Sequence, residues 1–217
     1  MAVRPIVTYE NPRLRKKSIK VKSIEPSVQV LIDDMIDTMR AANGIGLAAP
    51  QVGVLLRIVV CEWTEYPEET DEEDDEEAGE MHQTVLINPE ILEKEGEWMA
   101  EEGCLSIPGY VGTVPRAERV TVRGKTRGCK TIKFKADGVQ AHILQHEIDH
   151  LDGILYIDYL DSLDDLRPSE PGSRRRRRRS GTSVDSEEPD AAAPNAFDPC
   201  CDPGAAPAGA VDAPASR

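Results

Sequence analysis

Residues 137–153, Asp-Gly-Val-Gln-Ala-His-Ile-Leu-Gln-His-Glu-Ile-Asp-His-Leu-Asp-Gly, constrain this chain more than any other stretch. Val139, Ile143, Leu144, Ile148 and Leu151 recur at three- and four-residue spacing, the apolar stripe of an amphipathic helix. Asp137 stands at the N-cap position with Gln140 three residues on, a capping-box pattern, and Gly153 suits a left-handed stop. The same helix carries His146-Glu147-Ile148-Asp149-His150. His146 and His150 lie one turn apart on one face, so both imidazoles can reach a single cation. Glu147 adjoins the first of them, where a carboxylate can take a proton from a water activated by that cation. Two histidines do not complete a metal site. The rest of the chain must supply a third ligand.

His142 lies one turn before His146, but the helical rise from His142 to His150 is ~12 Å, too far for both to bind one ion. A better third ligand is Cys104, in Glu102-Gly103-Cys104-Leu105-Ser106. A thiolate with two imidazoles suits Zn²⁺ or Fe²⁺ and leaves a fourth position for water. Taken alone, Cys104 would read as a buried core thiol, and His-Glu-x-x-His also occurs on ordinary amphipathic helices. It is the combination that makes the chemistry. Glu102 and Asp149 read as partners of the ligands rather than as catalysts.

Elsewhere, Val28, Leu31, Ile32, Met35, Ile36 and Met39 predict a second amphipathic helix over 26–42, with Pro26 at its start and Asn43-Gly44 at its stop. It leads into a small-residue loop, Gly44-Ile45-Gly46-Leu47-Ala48-Ala49-Pro50-Gln51. Apolar, β-branched runs predict strands over 55–63, 84–88, 91–98, 120–124 and 131–136, and one last strand over 154–159. These elements predict an α+β fold, its short, largely antiparallel strands packed around the metal-binding helix. Residues 65–80 are almost wholly acidic and polar and read as a solvated loop. After 166, Pro, Gly, Ser, Ala and an all-arginine block at 174–179 replace large apolar residues. The expected organisation is a catalytic domain over 1–166 with a disordered, low-complexity tail over 167–217.

The formal charge of −14 argues against a DNA-binding core, because phosphate backbones attract basic surfaces. Five cysteines in no regular spacing do not describe a disulfide framework, and they fit a reducing cytosol. The N-terminus lacks an apolar signal core, and no stretch approaches the ~20 apolar residues that span a bilayer. The expectation is a soluble cytoplasmic protein with no membrane partner.

Three motifs in order, 44–51, 102–106 and 146–150, closely resemble those of the peptide deformylases, and the resemblance covers roughly residues 3–160. It implies that Cys104, His146 and His150 hold one divalent ion, usually Fe²⁺, with Zn²⁺, Ni²⁺ and Co²⁺ as alternative occupants. It implies that Glu147 is the general acid/base and that the Gln51 amide and the Leu105 backbone N–H stabilise the oxyanion. Gly46 matches a glycine whose backbone lies along the substrate. Ile45, Val139 and His142 become candidates for lining the methionine pocket, by resemblance and helix position. The expected substrates are nascent N-formylmethionyl polypeptides, and the arginine block offers an electrostatic contact to the ribosome. A metallopeptidase cutting internal bonds is disfavoured by the Cys104 motif and the missing downstream His or Glu ligand. A non-catalytic, ribosome-associated protein with a vestigial site is disfavoured because every expected chemical residue is present.

Overall fold

A computed structural model describes residues 2–65 and 80–169. Most of the expected acidic loop, and the tail from 170 on, lie outside the described residues. Helix α1 (Pro26–Ala41) is followed by strands β1 (Gly46–Ala48), β2 (Ile58–Glu65), β3 (Glu80–Glu95), β4 (Trp98–Cys104), β5 (Ile107–Arg116), β6 (Arg119–Lys125) and β7 (Thr131–Asp137). Helix α2 (Gly138–Asp152) and a short strand β8 (Arg167–Pro168) complete the order. The strands form a five-stranded sheet, β1-β2-β3-β6-β7, and a three-stranded sheet, β4-β5-β8. Every pairing within both sheets is antiparallel, as the α+β expectation requires. Pairing of Arg167 and Pro168 with Val111 and Tyr110 carries regular structure just past residue 166.

Strand β2 shows how the two helices come to share one sheet. Its residues alternate faces, so Ile58 and Val60 pack with Leu31, Ile32, Met35 and Met39 of α1. Val59 and Cys61 point the other way, toward Ala141, Leu144, Ile148 and Leu151 of α2. Each such buried aliphatic side chain contributes on the order of 2 kcal/mol relative to exposure, so a one-residue register slip would exchange both cores. The five-stranded sheet is thus a septum, with α2 and its histidines on one side.

The start of α2 depends on that burial. The expected capping box at Asp137 does not form: Asp137 is the N-cap, but its side chain makes no capping hydrogen bond. Instead, Gln145 Oε1 accepts from Ala117 N–H at 3.0 Å and Gln145 Nε2 donates to Ala117 O at 2.9 Å. These bonds pin the middle of α2 to the connection between β5 and β6. The predicted stop holds, with Gly153 left-handed at φ 79° and its N–H on the carbonyls of Asp149 and His150.

Three other expectations change. Residues 154–159 do not form a strand, because Tyr156–Tyr159 is a single 3-10 turn closed by Leu155 N–H on Asp158 Oδ2 at 2.9 Å. Leu155 and Tyr156 are thereby buried with Cys104, Ile107 and Val114. The runs at 84–88 and 91–98 belong largely to one long strand, β3, which passes its Asn88-Pro89 interruption through a register shift between Ile87 and Glu90. The loop at 44–51 is not irregular: it comprises β1 and a 3-10 turn over Ala49–Val52.

Candidate metal centre

Helix periodicity alone places His146 and His150 together, with ring centroids 5.0 Å apart and planes at 80°. The third group arrives from the other sheet. Strand β4 pairs with β5 until a register shift between Gly103 and Cys104, and there the chain delivers Cys104 to the histidines. Cys104 Sγ lies 3.2 Å from His150 Nε2. Ligand atoms of Cys104, His146 and His150 all fall within 4.8 Å of one another, a spacing that fits a single divalent ion. Among the described residues no other set of three or more His, Cys, Asp or Glu groups has this character. His142 is not part of it, in keeping with the helical rise.

The donor set and its surroundings match a cation. His146 Nδ1 donates to Glu102 Oε2 at 2.7 Å, which leaves the Nε2 lone pair for a metal. Burial disfavours the Cys104 thiolate, but His150 and His146 beside it outweigh burial and hold its pKa well below the ordinary thiol range. Burial likewise opposes charge on His146, and the Glu102 carboxylate reverses the balance and raises its pKa. Two buried atoms here, Glu147 Oε2 and His150 Nδ1, have no hydrogen-bond partner. A buried carboxylate oxygen with no partner lies beside three metal-type donors, so it is free to take a proton or a hydrogen bond from a group bound there. Burial pushes the Glu147 carboxyl up to about 7, against the downward pull of His146 and His150.

Gln51 is buried and oriented through its own 3-10 turn. Its Oε1 accepts from Ala48 N–H at 2.7 Å, so the amide nitrogen must face the site, where it lies 3.5 Å from Cys104 Sγ and 3.3 Å from Ser106 Oγ. Leu105 is partly buried and packs against the α1 core. Gly46 backs Glu147: a Cβ at 46 would collide with the Glu147 carboxylate. Ile45 and Val139 are half exposed, at 51% and 52%, while His142 is turned inward and only 8% exposed.

What sequence reading missed is Arg116, which joins the two carboxylates behind Cys104, His146 and His150. Glu102 is fully buried with Arg116, whose Nε and Nη2 reach the two carboxylate oxygens at 2.6 and 3.0 Å. Arg116 also donates to Asp149 Oδ2 at 2.5 Å and lies 4.6 Å from the Tyr159 ring centroid. Tyr159 Oη donates to the same Asp149 oxygen at 3.0 Å. Glu102 and Asp149 were expected as supporting groups. Nothing in the sequence around Arg116 marks it as their common partner.

A protein-family profile described as Polypeptide deformylase matches residues 3–165. A peptide deformylase of Dehalococcoides mccartyi is 54% identical over 158 residues, covering 73% of this chain and 86% of that protein. One from Thermodesulfovibrio yellowstonii is 49% identical over 160 residues, covering 73% and 89%. A crystal structure of a peptide deformylase from Legionella pneumophila superimposes with a TM-score of 0.65 at 44% identity, over 76% of this chain and 89% of that one. A class I type b peptide deformylase from Acinetobacter baumannii, crystallised with Met-Ala-Ser bound, gives 0.65 at 35% identity over 73% and 99%.

Proposed function

The chain belongs to the polypeptide deformylase family, and on that premise we propose the residues that carry its reaction. It is a metal-dependent hydrolase that removes the formyl group from the N-terminal methionine of newly made polypeptides, releasing formate. Cys104, His146 and His150 would hold the ion; a thiolate with two imidazoles accepts Fe²⁺, Zn²⁺, Ni²⁺ or Co²⁺, and we take Fe²⁺, usual in the family, as the occupant. When bound, the ion supplies Lewis acidity at the formyl group and at water.

Glu147 does the proton work. Its unpartnered Oε2 and its high pKa suit a base that accepts a proton from water and an acid that returns it to the leaving amine. Gln51 Nε2, its direction set by Ala48 N–H, and the Leu105 backbone N–H donate to the oxygen on which charge develops. Preorganised donors of this kind are worth ~3–4 kcal/mol each in the transition state. Gly46 keeps β1 clear of the Glu147 carboxylate and leaves backbone for an extended substrate. Ile45, Val139 and the ring of His142 line the methionine side chain. The observation that carries this reading is the convergence of Cys104, His146 and His150 beside the buried Glu147.

The test is release of formate from formyl-Met-Ala-Ser by protein purified anaerobically with Fe²⁺. Activity that survives Glu147→Ala would remove the mechanism. We assign residues 1–166, together with the β8 pair that follows them, to the catalytic unit and the rest of the chain to an appended tail, and place the protein in the cytoplasm. Among the described residues no helix is long and apolar enough to cross a membrane. The arginine block at 174–179 contacts ribosomal RNA electrostatically in this reading. Ribosome co-sedimentation of the full chain and of a chain ending at Ser169, compared across salt, decides that point: equal binding refutes the contact.

A further inference from the structure

His142 carries one of the best-defined hydrogen bonds near the centre, and no step of the reaction uses it. Its Nε2 lies 2.8 Å from Glu102 Oε1. The ring also meets Trp98 edge-on, centroids 5.9 Å apart at 86°. Glu102 therefore receives four hydrogen bonds. Oε1 accepts from His142 Nε2 and Arg116 Nε, and Oε2 from His146 Nδ1 and Arg116 Nη2. The side chain is fully buried, so water does not substitute for any of them.

The arrangement is a clamp. Arg116 grips the carboxylate as a fork, and the two imidazoles, one helical turn apart, meet one oxygen each. Arg116 reaches Glu102 through Nε and Nη2 and Asp149 Oδ2 through Nη1 at 2.5 Å, so its position is set by two carboxylates and not by Glu102 alone. Without the His142 bond, Oε1 would keep only Arg116 Nε, and the carboxylate could rock toward the guanidinium and away from His146. The His146 Nδ1 hydrogen bond selects the tautomer and aims Nε2, so any play in Glu102 becomes play in a metal-binding lone pair.

We propose that His142 is a positioning residue, whose Nε2–H holds Glu102 against His146 and so tightens metal binding by Cys104, His146 and His150. The role rests on those three residues being the ligands. It is distinct from lining the methionine pocket, which the ring could do with no donor at all. Groups that support a metal-binding histidine typically change affinity by 10–100-fold, and one of four bonds to Glu102 belongs at the lower end, about tenfold.

The experiment is a chelator-competition titration with Zn²⁺, alongside Co²⁺ absorption spectra, on the unaltered chain, His142→Leu, His142→Gln and His146→Ala. The unaltered chain should bind one equivalent, His146→Ala should bind far more weakly, and His142→Leu about tenfold more weakly with its Co²⁺–thiolate band retained. His142→Gln, which keeps an N–H donor, should return to within about threefold of the unaltered chain. Leu binding as tightly as the unaltered chain would overturn the proposal, as would Gln binding as weakly as Leu, since ring packing against Trp98 would then be the cause. Melting curves accompany each variant, and His142→Met, donor-free and of similar length, replaces Leu should Leu fail to fold. A different result, one equivalent retained by His146→Ala or none bound by the unaltered chain, would overturn the ligand assignment itself and the His142 role with it.

Discussion

Gly46 and Glu147 are packed so closely that a single added methyl group at 46 would occupy the space of the Glu147 carboxylate. Strand β1 is held in register by pairing Gly46 with Cys61, so it does not simply retreat. Gly46→Ala should therefore displace Glu147 and, if Glu147 is the acid/base proposed above, lower kcat by about 10²-fold, the usual consequence of moving such a group by ~1 Å. Formate release together with bound-metal content checks this. Normal metal content with normal turnover would refute it.

Glu147 also makes the ion-free protein sensitive to pH. Its carboxyl is raised from 4.5 to about 7 by burial above all, so the folded chain binds this proton more tightly than the unfolded chain does. The associated stability is fully present below pH 4.5 and is lost as pH rises through about 7, a span worth about 3 kcal/mol. Denaturant titrations of ion-free protein between pH 5 and 8 (roughly that window) should show a declining stability that Glu147→Gln flattens. Parallel slopes for the two proteins would exclude Glu147 as the source.

Arg116 is the guanidinium shared by Glu102 and Asp149, and its side chain is 2% exposed. Arg116→Met should leave Glu102 a poorly compensated buried carboxylate and take one partner from the part-buried Asp149, at a cost of about 3–5 kcal/mol. In a chain of this size that corresponds to roughly a 10 °C fall in Tm. Adding Glu102→Gln should recover part of the loss, because the two groups share one network. Strict additivity in the thermal melts would show that they do not.

Gly153 ends α2 at φ 79°, and a Cβ there would meet the Arg15 backbone oxygen at 2.7 Å. Both the left-handed conformation and the contact oppose any other residue. Gly153→Ala should destabilise the fold by about 2 kcal/mol, with a Tm some 4–8 °C lower. An unchanged Tm would mean that the segment holding Arg15 yields freely.

Local periodicity carried most of what was legible beforehand. Helix α2 runs over the predicted residues, and α1 differs by one residue at its end. Strands β6 and β7 were also legible, since their alternation is regular. The hairpin of β4 and β5 was not, because Gly103, Pro108, Gly109 and Gly112 interrupt its pattern and its stability comes from pairing partners. The 3-10 turn at Tyr156–Tyr159 was misread as a strand for a related reason. Its apolar residues face a pocket formed by β4 and β5, not a sheet neighbour.

The sequence by itself determined that two histidines and a carboxylate share one helix face, because the α-helical repeat is a property of consecutive residues. With the Cys104 and Gln51 motifs beside them, it also determined the family. Only the tertiary structure decided how those groups are held. Glu102 reaches Arg116 across 14 residues of hairpin and His142 and His146 across 40 and 44 residues, so their meeting depends on the register of β4 against β5 and the seating of α2. Burial then sets the electrostatics, raising Glu147 and forcing every oxygen of Glu102 to find a donor. Ligand identity is written along the chain, whereas ligand orientation is a product of packing.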